Sequence, residues 1–297
     1  MFFIAVRNNI IICGGHTGNW SRVTREQILY ILGDCKLQLP PLPTSLGYKS
    51  VFLNNDYELL IIGNGFKMKS QCYKFIKGSW KKQNPPCKVP VSNRKSSFTM
   101  QDGVYISCPY SFEFLPKGQE AWKKCSKFSW SPSPGDMSHS VAVSKTEIVS
   151  TGGTETTTRI HKYNLIEGNS TEIGKLKHGR WMHSSAFYKG KLIITGGYNY
   201  KTTGRVLSTE IIDLASGISR LGGNLNAYRC YHGMGVISKN DKPTLIVFGG
   251  ECFDVTGCPM SLDSIEEWDD ETDTWRISDL KLDIGRFKFD WCSLEEF

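Results

Sequence analysis

A pair of glycines returns along this chain, each time behind the same kind of apolar run. IIICGG ends at Gly14–Gly15, IVSTGG at Gly152–Gly153, LIITGG at Gly196–Gly197 and LIVFGG at Gly249–Gly250. An altered copy, LIIGNG, spans Leu60 to Gly65, and a more eroded one, VYISCP, spans Val104 to Pro109. The interval between copies runs from about 44 to about 53 residues, the spacing of a repeat architecture. Copies at this interval fill the chain as one domain, residues 1–297.

Each glycine pair has similar surroundings. In HSSAFYKGKLIITGG two apolar runs flank Lys189-Gly190, which reads as a hairpin. HSVAVSKTEIVSTGG and HGMGVISKNDKPTLIVFGG are its counterparts. A polar loop follows the glycines, then an alternating strand: RIHKYNL from Arg159, TEIIDLA from Thr209, SIEEWDDETDTW from Ser264. Trp80, Trp122 and Trp275 follow in three copies, and an Arg precedes the next copy at Arg94, Arg180, Arg229 and Arg286. Each unit therefore reads as four short strands. TREQILYIL, from Thr24, has the only helix-like pattern and aligns better as a third strand. Units of this kind predict an all-β propeller, because a twisted sheet buries both faces only between neighbours. The glycines are expected where backbones crowd and φ is positive, and the tryptophans in the wedge between blades.

Charge is unevenly spread. Residues 66–128 hold 13 Lys/Arg against 3 Asp/Glu, and residues 251–297 hold 4 against 14. The Lys81–Lys82 and Lys123–Lys124 pairs lack the aromatic interleaving of a nucleic-acid groove. They read better as charge on exposed edge strands, so nucleic acid is not an expected partner. No apolar run is long enough to predict membrane insertion. MFFIAV lacks the basic start and cleavage site of a signal peptide. A cytoplasmic location is the default expectation, and secretion the expectation if the true start lies upstream. The ten cysteines show no CxxC spacing.

The motifs resemble the kelch repeat family. Arg180, His183, Gly196, Gly197, Glu210 and Asp213 match one repeat; Arg229, His232, Gly249, Gly250, Glu266, Trp268, Asp269 and Trp275 match another. His139, Gly152, Gly153 and Tyr163 match a third. The resemblance implies a kelch-type propeller of six four-stranded blades, with seven as the alternative. GRFKFDWCSLEEF, at the C-terminus, looks like a first strand and NNIIICGG like the second strand beside it, which closes the ring. FFIAV competes for that first-strand place. Disulfides Cys13–Cys292, Cys72–Cys87 and Cys252–Cys258 are candidates.

Catalysis is not expected. His139, His183 and His232 sit at corresponding places in successive copies, too far apart for one metal, and are expected to bond loop backbone. The central domain of galactose oxidase is built of similar repeats, but its copper constellation has no counterpart here. No nucleotide loop or nucleophile motif appears, and WDDETD lacks the pattern of a calcium loop. No metal and no cofactor are expected. The expected role is a monomeric protein–protein interaction module, presenting loops of one face to an acidic or phosphorylated segment. Its candidate contacts are Trp20, Arg22, Arg94, Arg180, Tyr198, Tyr200, Arg205, Arg229 and Arg286, residue types that dominate binding hot spots. The arginines have an alternative reading, as braces between blades. The alternative functions are a ubiquitin-ligase substrate receptor whose BTB domain is missing from this chain, and a galactose-oxidase-like enzyme.

Overall fold

The computed structural model describes residues 10–17, 29–32, 37–44, 46–64, 69–86, 97–108, 111–125, 138–153, 158–201, 204–240, 242–253 and 257–293. It is all-β, with no helix among the described residues, and its four-stranded antiparallel sheets have a propeller arrangement.

The first sheet joins Asp290–Ser293, Ile10–Cys13, Leu29–Leu32 and Leu37–Gln38 in that order. The second joins Gly47–Leu53, Leu59–Asn64, Ser70–Ile76 and Ser79–Gln83; the third, Ser97–Met100, Gly103–Cys108, Ser111–Pro116 and Lys123–Cys125. The fourth joins His139–Ala142, Glu147–Thr151, Arg159–Asn164 and Asn169–Lys175. The fifth joins Ser184–Tyr188, Lys191–Thr195, Thr209–Asp213 and Ser219–Leu221; the sixth, Gly233–Lys239, Lys242–Phe248, Ser264–Asp269 and Thr274–Lys281. The C-terminal strand pairs with the N-terminal one, Ile11 opposite Cys292 and Cys13 opposite Asp290. Cys13 and Cys292 are thus diagonal rather than opposed, in one apolar cluster. Cys87 and the FFIAV segment lie outside the described residues.

Alternation builds the interior. Ile10 and Ile12 face the sixth sheet, against Ile246 and Phe248, while Ile11 and Cys13 face the second, against Val51 and Ile61. Strands sandwiched this way must be apolar on both faces, and all four of these residues are buried. The second sheet packs on the third through Phe52, Ile62 and Ile106. The third meets the fourth through Phe98, Tyr105 and Ile148, and the fourth meets the fifth through Val149 and Ile194. The fifth meets the sixth through Ile193 and Val247, which closes the circuit.

The tryptophans fill wedges as expected. Trp80 donates from Nε1 to the Pro40 carbonyl at 2.8 Å, and Trp275 donates to Thr209 Oγ1 at 2.8 Å, on the neighbouring sheet. Trp122 packs against the cluster between the second and third sheets. The Lys81–Lys82 and Lys123–Lys124 pairs stand exposed on outermost strands, where charge discourages edge-to-edge pairing.

Candidate functional site

The glycine pairs launch the loops of one face, and they are locked there by their neighbours. A Cβ on Gly196 would come within 2.6 Å of the Arg229 carbonyl and 2.8 Å of the His232 ring, both on the next sheet. A Cβ on Gly152 would meet the Arg180 carbonyl and the His183 ring in the same way. The second glycine, Gly197, lies against Trp181 and His183 of its own sheet. Gly14, Gly15, Gly152, Gly153, Gly196, Gly197, Gly249 and Gly250 all have positive φ, so close approach and backbone conformation both exclude a side chain.

The arginines are braces. Arg180 and Arg229 are 0% and 1% exposed. Arg180 donates to Glu210 at 2.8 Å and to the Gly196 and Ser208 carbonyls at 3.2 and 2.7 Å. Arg229 repeats the pattern with Glu266 at 3.0 Å and the Gly249 and Ser264 carbonyls at 2.8 and 2.9 Å. Each glutamate also accepts from backbone amides entering the site, Lys177 and His178 on Glu210, Asn226 and Ala227 on Glu266. Arg286, also buried, donates to the Gly14 carbonyl at 3.2 Å. The expectation that these three guanidiniums line a binding rim is therefore corrected: burial and in-sheet partners enclose them. Trp20, Arg22 and Arg94 lie outside the described residues.

The histidines bond hydroxyls of neighbouring sheets, a correction to the loop-backbone expectation. His183 Nε2 pairs with Thr151 Oγ1 and His232 Nε2 with Thr195 Oγ1, both at 2.9 Å. At the next junction the same two positions hold Phe248 and Phe289, stacked at 5.5 Å. His139 is not their equivalent. Its register partner is Thr151, whereas Ser184, not His183, stands opposite Thr195. The hairpin of the fourth sheet turns through Ser144, Lys145 and Thr146, and that of the fifth through Lys189 and Gly190 alone. The extra turn residue moves His139 one place along the strand and so onto a different face. Its ring bonds Ser185 Oγ at 2.7 Å and stacks on Trp291. Burial, then the charges of Arg229, His139 and Arg180, hold the His232 imidazole well below its ordinary value. Among the described residues no cluster of three or more His, Cys, Asp or Glu could hold a metal ion.

Two residues after each brace, the backbone takes a left-handed turn with a side chain on it: Met182, Tyr231 and Lys288, at φ 56, 52 and 52. These residues connect successive sheets. The Tyr231 amide donates to the Met182 carbonyl at 2.9 Å and the Lys288 amide to the Tyr231 carbonyl at 3.2 Å. Lys288 Nζ stands 4.4 Å above the Tyr231 ring. Non-glycine residues in this region cost about 1–3 kcal/mol each and gather at ligand-facing positions.

Around them the post-glycine loops fold into two small hairpins, Tyr198–Asn199 with Gly204–Arg205 and Glu251–Phe253 with Pro259–Ser261. Tyr228 and Phe253 stack at 6.4 Å, and the exposed Arg205 lies 5.7 and 5.4 Å from their ring centres. Tyr198 packs edge-on against Trp181. Tyr200 is 56% exposed beside Lys201. Below, the Cys230 thiol contacts Glu251 Oε2 at 3.6 Å. Burial raises the Glu251 carboxyl above its usual range, opposed by the Cys230 bond and by Lys288. Of the expected contacts, Tyr198, Tyr200 and Arg205 thus share one face. Sequence reasoning missed Tyr228, Phe253, Met182, Tyr231 and Lys288. The constant spacing of residues 182, 231 and 288 behind each arginine was the available signal.

No family model matches the chain, and no curated protein matches it.

Proposed function

We propose that this chain is a non-catalytic, kelch-type propeller of six blades whose glycine-loop face holds an acidic or phosphorylated segment of a protein partner. The kelch reading is supported by the Arg–Glu brace, the glycine pair and the wedge tryptophan recurring in register. The circuit of six apolar junctions, with the C-terminal strand set beside the N-terminal one, supports the blade number. Propellers commonly present loops to proteins, although fold alone does not assign a function.

The observation that carries the binding reading is Arg205. Arg205 is an exposed residue, yet its guanidinium lies against two stacked aromatic rings from the next sheet that hold it in place. A cation ordered before binding loses little side-chain entropy on meeting a carboxylate or phosphate. Lys201 and Lys288 add charge of the same sign, and Tyr200 adds an exposed aromatic anchor.

The test is a binding screen with immobilised peptide libraries, acidic, phosphorylated and neutral, comparing the wild type with Arg205→Ala and Tyr200→Ala. The reading expects acidic or phosphorylated sequences to be selected and each variant to bind them at least about tenfold more weakly, the effect of a moderate hot spot. Selection of neutral peptides, or indifference to both substitutions, contradicts it.

A further inference from the structure

The face opposite the glycine loops carries a cleft of its own. It lies between the second and third sheets and has a volume of about 240 Å³. One wall is the turn from Asn54 to Glu58, which joins the first two strands of its sheet. The other is the turn from Lys117 to Glu120, which joins the last two strands of the next. Turns of this kind sit at the end of an antiparallel sheet opposite the second-to-third-strand loops.

The cleft is not a general consequence of the wedge between sheets. The corresponding groove between the fifth and sixth sheets is only about 100 Å³. There an ion pair between Lys189 and Asp270 bridges the two turns, and the Tyr188 hydroxyl donates across to the Pro243 carbonyl at 2.8 Å. Between the second and third sheets the ion pair is kept within one sheet instead. Lys74 meets Glu58 at 3.0 Å, and the Asn54 amide donates to the same carboxylate oxygen at 2.8 Å. The groove stays open and its acceptor is fixed.

The lining chemistry selects a ligand class. The cleft's apolar lining includes Leu60, Val104 and Trp122. The walls carry carboxamides, from Gln83, Asn84 and Gln119 among others, and acids and lysines in near balance. Carboxamides offer a donor and an acceptor side by side, which suits hydroxyl groups that are both. An indole supplies an apolar plate for a C–H face. The volume is below the roughly 300 Å³ at which drug-sized pockets begin, so the ligand is a single small ring. Near-neutral walls disfavour a strongly charged one. Cys72, also in the lining, has its thiol pushed up to about 12 by burial, so it is a neutral surface there and not a nucleophile.

We propose that this cleft binds one pyranose ring of a carbohydrate, its C–H face on Trp122 and its hydroxyls on the carboxamides and on Glu58.

The experiment titrates the whole chain with D-glucose, D-galactose, D-mannose and N-acetyl-D-glucosamine, read by saturation-transfer-difference NMR and tryptophan fluorescence. At least one sugar is expected to bind, with Kd on the order of 1 mM, as suits a few hydrogen bonds and one stacked face. Trp122→Ala is expected to abolish the signal. Because Trp122 also meets Phe52 edge-on at 6.3 Å, that variant is paired with Gln83→Met, which keeps the side-chain length and removes only the amide. Gln83→Met is expected to weaken binding at least about tenfold with an unchanged circular dichroism spectrum and melting temperature. Silence of all four sugars, or equal affinity in Gln83→Met, overturns the proposal.

Discussion

The indole of Trp291 lies parallel to the imidazole of His139, ring centres 5.7 Å apart and planes 14° from one another. Trp291 is on the C-terminal strand of the first sheet, and His139 opens the fourth. Among the described residues no apolar cluster joins those two sheets directly, so the stack crosses the ring rather than following it. Trp291 is fixed by an Nε1–H bond to the Met234 carbonyl at 3.0 Å, and His139 by Ser185. The inner strands are therefore tied together across their centre, and the contact includes the strand that closes the chain.

Trp291→Ala should accordingly cost about 3–5 kcal/mol, the usual range for a buried Trp truncated to Ala. Trp291→Phe keeps a ring but loses the bond to Met234, and should cost less. Urea midpoints of the two variants, read with an unchanged m-value, check both the size and the order. If the two substitutions prove equal, the ring contact contributes nothing beyond the bond.

The junctions between sheets use two chemistries for one pair of positions. Thr195–His232 is polar, while Phe248–Phe289 is apolar. His232→Phe should therefore destabilise when made alone, because it leaves the buried Thr195 hydroxyl with only the weak Met234 sulfur acceptor at 3.8 Å, at about 1–3 kcal/mol. Adding Thr195→Phe should recover part of the loss. A double-mutant cycle by chemical denaturation gives the coupling, expected at about 0.5–3 kcal/mol for residues in contact. Strict additivity would mean the two positions do not read one another.

These pairs also show how much could be read from the chain alone. The glycine pairs, wedge tryptophans and strand order were legible because each depends on local pattern and period. The enclosure of Arg180 and Arg229 was not, because it depends on Glu210 and Glu266, 30 and 37 residues downstream. The different role of His139 was hidden by one turn residue: its 13-residue distance from Gly152 equals that of His183 from Gly196, so alignment placed them together. The Arg205 platform was half visible. Arg205 was in a loop of interest, but Tyr228 and Phe253 come from the following copy, and nothing in linear spacing brings them under it.

Glycines with similar φ should tolerate a methyl group very differently. Gly196 has φ +62 with carbonyl and ring atoms in the path of a Cβ; Gly190 has φ +77 and open space. Gly190→Ala should cost only the left-handed backbone penalty, about 1–2 kcal/mol. Gly196→Ala must also displace the Arg229 backbone and His232, and should exceed it by more than 1 kcal/mol or prevent folding. Thermal melts of the two proteins, side by side, decide the matter; equal melting temperatures would remove the packing role assigned to the pair.

Acid should loosen the ring through His232. Its folded-state pKa is held well below 6.5 by burial first and then by Arg229, His139 and Arg180. The unfolded chain binds a proton near pH 6.5, and the native imidazole does not. Stability contributed by this group is thus fully present above about pH 6.5 and falls as pH drops below it, by up to about 1.4 kcal/mol per pH unit for one proton. The native Thr195 bond uses Nε2, and protonation would also place a second charge beside Arg229. In the Thr195→Phe, His232→Phe double variant this part of the slope should vanish, whatever its stability at neutral pH. Denaturation curves at pH 7, 6 and 5 for both proteins measure the difference, and parallel pH profiles would assign the acid sensitivity to other groups.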